Sequence, residues 1–190
     1  MPGIDSDRVL ELLSTHNRLK LTPRTGWAQR GVRLPESVAD HSHGVAFAAL
    51  LLLDLVDEPV RSELDRAKVL AMAIAHDLPE AVTGDFSLDG SRNLPAGAKA
   101  VGEQAAMDEL LEGFDFGAAW RARWDEFEAA ETPEAKLVRD ADRVDLLVQA
   151  LAYERSTGNR NLDEFWEFAP ADSFAYEASR EIIRALAGLR

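Results

Sequence analysis

Apolar residues recur along most of the chain at the three-to-four-residue spacing of an amphipathic helix, and the strict alternation of a strand is scarce. From Asp5 to about Leu19, the residues Val9, Leu10, Leu12 and Leu13 share one side of a first helix. Residues 22–35 contain Pro23, Gly26, Gly31 and Pro35 and read as a loop. Ser37 then has the form of an N-cap, and a strongly apolar helix is expected from there to about Val56, ended by Asp57-Glu58-Pro59. The next helix is expected from Glu63 to His76-Asp77. Pro79 has no N–H to offer the Ala75 carbonyl, so that helix must kink or restart there. Gly84 stops the short piece that follows, and residues 86–96, with Gly90 and Pro95, form another loop. Further helices are predicted over 97–112, 117–131, 134–156 and 172–188, with a short turn near 161–167. No repeat, low-complexity tract or linker divides the chain. The reading is a single all-α domain over residues 1–190.

Three places in this pattern put ionisable side chains where a core should be. His76-Asp77 ends the apolar run Val69 to Ala75; His41 aligns with Val38 and Val45; Asp142 lies beside an apolar stripe near Val138 and Leu146. Each alone has an ordinary explanation, a hydrogen-bonded core imidazole or an aspartate paired with Arg139 or Arg143. Burying a carboxylate without a partner costs several kcal/mol. Two imidazoles and two carboxylates from three helices form a sensible ligand set for a divalent cation, which would compensate all four groups at once.

Composition narrows the classes. The chain has no cysteine, so disulfides, zinc fingers and thiol nucleophiles are excluded. Its net charge of −13 argues against long DNA or RNA as a ligand. The longest apolar run, Val45 to Val56, is broken by Asp54 and is too short to cross a bilayer, and the acidic start of the chain lacks the features of a leader peptide. A cytoplasmic protein without a membrane partner is expected. One segment departs from the acidic average: residues 12–35 contain no Asp or Glu but hold Arg18, Lys20, Arg24, Arg30 and Arg33. A basic loop of this kind either pairs with acidic neighbours or forms a local anion site.

The stretches PESVADH, AHDLPEAVTGD and EAKLVRDADRVD, in this order, resemble the HD-domain metal-dependent phosphohydrolases. The preceding RLKLTPRTGWAQRGVRLPES extends the likeness to their 5'-deoxynucleotidase branch, from about Leu13 to Glu154. The resemblance implies a single helical HD fold with a metal-binding core at about 13–154 and the helix at 172–188 packed on it. It makes His41, His76, Asp77 and Asp142 the metal ligands, with Mn²⁺, Co²⁺ or Fe²⁺ as the ion, and it implies a homodimer. Glu80, four residues after His76 and on the same side of a helix, matches the family's acid or base. Asp85 matches a second acidic residue near substrate and attacking water. Arg24 can clamp a phosphate, and Trp27 offers a face for a sugar or base. Some bacterial members place these two side by side, whereas Thr25-Gly26 separates them here.

The activity implied is hydrolysis of 2'-deoxynucleoside 5'-monophosphates, a small-molecule nucleotide substrate. Three other HD-type readings stand beside it. A guanosine-tetraphosphate hydrolase carries Glu-Asp after the His-Asp pair, where this chain has Glu80-Ala81. A dinuclear oxygenase needs further histidines, and only His16 and His43 remain; His43 faces elsewhere on its helix from His41. A non-catalytic interaction module loses ligands that this chain retains.

Overall fold

The computed structural model describes residues 5–190; Met1 to Ile4, and with them part of the reading against a leader peptide, lie outside the described residues. Helix α1 (Ser6–His16) starts where the Asp5 carboxylate accepts the Arg8 N–H, and a 3₁₀ turn, Asn17–Lys20, takes the place of its expected last turn. Helix α2 (Thr25–Gln29) stands inside the segment expected to be loop. Helix α3 (Val38–Leu55) opens with a reciprocal cap: Ser37 Oγ accepts the Asp40 N–H at 3.1 Å and Asp40 Oδ2 accepts the Ser37 N–H at 2.9 Å. The helix expected from Glu63 is two pieces, α4 (Val60–Glu63) and α5 (Arg66–Ala75), because Leu64 is extended and buried and Asp65 caps the second piece.

Then come α6 (Glu80–Thr83), α7 (Leu88–Arg92), α8 (Ala98–Leu111), α9 (Gly117–Ala129), α10 (Pro133–Thr157), α11 (Asp163–Phe168) and α12 (Glu177–Gly188). Helix α7 lies in the second expected loop, with Ser87 as its N-cap. Among the described residues no strand forms; Pro23 and Ser37 make an isolated antiparallel bridge that closes the loop around α2. The fold is all-α.

Helix α10 is the axis of the molecule and packs on α3, α5, α9 and α12. Its N-terminal half meets α3 and α5 through Leu137, Val138 and Ala141 against Ala49, Leu52, Val69 and Met72, all essentially inaccessible to solvent. Its C-terminal half meets Trp27, Leu162, Phe165, Phe174 and Ile183 through Leu147 and Ala150. Asp142 and Asp145 fall where these two apolar clusters abut. Asp140, fully buried, accepts the N–H groups of Ala175 and Tyr176 at 3.0 Å each and so ties the approach to α12 onto α10.

By length and composition the 18-residue α3 is apolar enough to cross a bilayer, which corrects the expectation drawn from the shorter run Val45–Val56. His41 and His43 interrupt the apolar positions before Val45, whereas the helix itself begins at Val38. Its buried face carries His41, Val45, Ala49 and Leu52, and it packs on α5 and α10.

Candidate active site

The absence of a proline N–H at residue 79 builds one wall of the site. Helix α5 stops at Ala75, the chain turns through His76–Pro79 with Leu78 N–H on the Ala75 carbonyl at 3.1 Å, and α6 restarts at Glu80. The turn brings His76, Asp77 and Glu80 to one cavity of about 380 Å³, which is also lined by Arg24, Asp85 and Asp142.

His76 is held on three sides. Its Nδ1 donates to the Ala73 carbonyl at 2.9 Å, its own carbonyl accepts the Trp124 indole N–H at 3.0 Å, and the Phe127 ring packs edge-on at 5.3 Å. A carbonyl can only accept, so the proton is on Nδ1 and the Nε2 lone pair faces the cavity. His41 does the same from α3: its Nδ1 lies 2.8 Å from Asp145 Oδ2, leaving Nε2 toward Asp142 and Asp77. The two rings are 5.5 Å apart. His76 Nε2 is 3.2 Å and His41 Nε2 3.8 Å from the same oxygen, Asp77 Oδ2, and Asp142 Oδ1 is 3.1 Å from His41 Nε2. The ligand atoms of His41, His76 and Asp77 all fall within 4.8 Å of one another. Asp142 joins from the His41 side.

Both Nε2 atoms are buried and make no hydrogen bond, a costly state for a polar atom. The surrounding charge compounds it. Burial and Arg24 alone would lower the His41 pKa, yet Asp142 and Asp145 outweigh them and push it up to about 9. Asp142 is held down at about 2, chiefly by His41 against the effect of burial. Burial would also raise Asp77, but His76 and Arg24 hold it well below the usual carboxylate range. The pocket is arranged to carry positive charge between two imidazole nitrogens and two carboxylates, which is what a divalent cation requires. The residues fit the ion.

Glu80 lies beside this group and is 3% exposed, with Oε2 buried and unpartnered. Burial, reinforced by the Asp77 and Asp85 charges, pushes its carboxyl pKa up, so it retains a proton where an exposed glutamate would not.

Arg24 reaches in from the loop, its Nη1 3.3 Å from Asp77 Oδ2 and 3.5 Å from Asp85 Oδ1. It is the cation of the acid-free segment that lines the cavity. Arg18, Lys20 and Arg33 are exposed elsewhere, and Arg30 pairs with Asp89 and Glu164, so the basic loop as a whole is not an anion site. Asp85 accepts the Thr25 N–H with its carboxylate, and its backbone carbonyl accepts the Thr25 hydroxyl at 2.9 Å.

Trp27 lines the cavity but is only 1% exposed, packed on the Phe165 ring at 4.3 Å with a 44° tilt and edge-on to Tyr153 at 5.4 Å, with its N–H donated to Glu36 Oε1 at 2.8 Å. It is a wall of the pocket embedded in the core rather than an open platform.

His43 is exposed and its neighbour His41 buried, as their spacing implies. His16 is outside the residues that line the cavity. Sequence reasoning missed Lys99, which lines the cavity from α8 and pairs with the buried Glu103 at 3.3 Å. It also passed over Asp145 and Glu36; a glycine in mid-helix, Gly44, was the available signal for the former.

A family model of the HD domain matches residues 16–174. Among curated proteins, the 5'-deoxynucleotidase HDDC2 of Danio rerio is 31% identical over 163 residues, 84% of this chain and 77% of the relative. That of Dictyostelium discoideum is 36% identical over 151 residues, 77% of each. Among solved structures, the PH0347 protein from Pyrococcus horikoshii OT3 superposes with a TM-score of 0.79 at 36% identity, over 95% of this chain and 99% of that one. With a His, His-Asp, Asp set converging in an all-helical fold, the chain belongs to the HD domain family.

Proposed function

We propose that the protein is a metal-dependent phosphomonoesterase that hydrolyses 2'-deoxynucleoside 5'-monophosphates to deoxynucleoside and phosphate. The observation that carries this reading is the pair of unpartnered, buried imidazole nitrogens that converge on Asp77, beside a cavity lined by Arg24 and the buried carboxyl of Glu80. The deoxynucleotidase names of the relatives support the substrate class.

His41, His76, Asp77 and Asp142 would hold the ion, for which Mn²⁺, Co²⁺ and Fe²⁺ suit the mixed nitrogen and oxygen set. When bound, such an ion neutralises charge on phosphoryl oxygens and acidifies water. Arg24 would receive the phosphate with two parallel N–H donors; charge-assisted bonds of this kind contribute about 1.5–3 kcal/mol each. Its partners Asp77 and Asp85 keep the guanidinium at the cavity wall before substrate arrives. Water adds to phosphorus as the P–O5' bond breaks, Glu80 gives its proton to the departing O5' oxygen, and the proton released by the added water restores the Glu80 carboxyl. A neutral carboxyl is suited to that role because protonating the leaving group removes the charge that would otherwise develop there.

The same reading includes a cytoplasmic homodimer. Helix α3 presents Phe47, Leu51 and Leu55 at four-residue spacing, 58%, 48% and 53% exposed, a stripe that a second copy would cover.

The test is phosphate release from a panel containing dAMP, AMP, a deoxynucleoside 3'-monophosphate and dADP, with each divalent metal added back to stripped protein. Release from dAMP that needs metal and exceeds that from the other three is expected. Equal turnover of dAMP and AMP, or preference for a 3'-phosphate or a diphosphate, would refute the substrate assignment.

A further inference from the structure

Gly44 sits inside α3, one turn after His41, in ordinary helical conformation. Glycine is the poorest helix former after proline, and nothing in the backbone at this position calls for it. The space around it does. A Cβ built on Gly44 would fall 2.0 Å from Asp145 Oδ1 and 2.7 Å from Asp145 Cγ. The carboxylate of Asp145, on the facing helix α10, occupies the volume that any other residue's first side-chain atom would need. Its second oxygen, Oδ2, is the acceptor for His41 Nδ1 at 2.8 Å.

We propose that Asp145 is a positioning residue for the metal centre, acting through His41, and that Gly44 is the gap in α3 that admits it. The proposal rests on the metal-centre reading above. Asp145 stands on the far side of the imidazole from the cavity, so it acts on the orientation and proton position of His41 and leaves the ligand role to Nε2. By accepting from Nδ1–H it fixes the tautomer whose Nε2 lone pair faces Asp77 and Asp142, and its charge makes that nitrogen a stronger donor to a cation.

The two histidines are therefore not equivalent. His76 is oriented by a neutral acceptor, the Ala73 carbonyl, and His41 by an anion. Glu36 is the other carboxylate near His41; its Oε1 accepts the Trp27 indole N–H at 2.8 Å, and it makes no hydrogen bond to His41 among the described residues. Asp145 is the carboxylate that stands at hydrogen-bond distance from His41 Nδ1.

The experiment is calorimetric titration of metal-stripped protein with Mn²⁺ at fixed pH, for wild type, Asp145→Ala, Asp145→Asn, Gly44→Ala and the double variant Gly44→Ala/Asp145→Ala, each checked for native helicity. Loss of such an outer hydrogen-bond partner typically weakens metal binding 10–100-fold, and Asp145→Ala should fall in that range. Asp145→Asn should lose less, because its amide oxygen still accepts from Nδ1–H. Gly44→Ala should weaken Mn²⁺ binding while leaving the helix intact, since alanine is the better helix former. The double variant should bind no more weakly than Asp145→Ala, because both changes break one contact. Wild-type affinity in either Asp145→Ala or Gly44→Ala overturns the proposal and leaves the metal centre standing, as do fully additive losses in the double variant. Absence of Mn²⁺ binding by the wild type overturns both.

Discussion

Asp85 caps a helix that begins 60 residues earlier: its carboxylate accepts the backbone N–H of Thr25. Arg24, the residue before, has no side-chain cap of its own to offer α2, and its guanidinium leans on the same Asp85 at 3.5 Å. One carboxylate thus fixes both the start of α2 and the cation that α2 carries into the cavity. In Asp85→Ala the lost cap should cost about 1 kcal/mol of stability. Displacing the clamp by an ångström should lower kcat/KM by about 10²-fold. Asp85→Asn keeps an acceptor for Thr25 and should recover most of the stability. Thermal unfolding and steady-state phosphate release check the two effects separately; a wild-type KM and kcat in Asp85→Ala would remove Asp85 from the site.

The unpartnered Nε2 atoms of His41 and His76 make a stability prediction that needs no substrate. At a free Mn²⁺ concentration 100-fold above Kd, binding to the native state alone should add about 2.7 kcal/mol. For a chain of this size that raises Tm by roughly 5–10 °C. Asp77→Ala should show no such rise. Protons compete for the same imidazole and carboxylate atoms, and the His41 pKa is raised, so the metal-dependent shift should shrink as pH falls. Scanning fluorimetry with and without metal across pH measures both. A metal-dependent Tm shift as large in Asp77→Ala as in wild type would show that the ion binds elsewhere.

Glu80→Gln should keep the metal-dependent Tm shift and lose about 10²–10⁴-fold in turnover, the usual worth of a positioned proton donor. The sign of the pH effect follows from the protonated form being the active one. Burial and the charges of Asp77 and Asp85 raise the Glu80 pKa, so activity should persist through neutrality and fall as pH rises past that value. The residual activity of Glu80→Gln should lack this alkaline limb. Loss of the Tm shift in Glu80→Gln would instead make Glu80 part of the metal centre.

What the sequence reveals and what it hides differ by the range of the interactions involved. Ser37 with Asp40 three residues later, and Pro79 after an apolar run, are local signals, and the start of α3 and the break after Ala75 stand where they indicate. Helix α2 was unreadable because its N-terminal donor is satisfied by Asp85, far along the chain, while Pro23, Gly26 and Gly31 argued for a loop. Asp142 and Asp145 look alike by helical spacing; only the packing of α3 on α10 places one carboxylate at His41 Nε2 and the other at Nδ1. Trp27 shows the reverse error. Its sequence neighbourhood suggested an open face, yet Phe165, Tyr153 and Glu36 claim nearly all of it.

That burial changes how sugar selectivity must be tested. Trp27→Ala would empty a packed core site and cost about 3–5 kcal/mol, so its kinetics would report unfolding as much as specificity. Trp27→Phe retains a ring against Phe165 and Tyr153 and opens only the volume of the second indole ring. The Trp27 N–H is already committed to Glu36, so this wall offers a 2'-hydroxyl no donor. A ribonucleotide would have to bury that hydroxyl unpaired or be held off, and apolar walls of this type discriminate against an added hydroxyl by no more than about 10²-fold. Wild-type kcat/KM for dAMP should exceed that for AMP within this limit. Trp27→Phe should narrow the ratio, mainly through better AMP turnover, with a smaller loss of Tm than Trp27→Ala. An unchanged ratio in a folded Trp27→Phe would leave Trp27 with packing alone and move the basis of selectivity to another wall of the cavity.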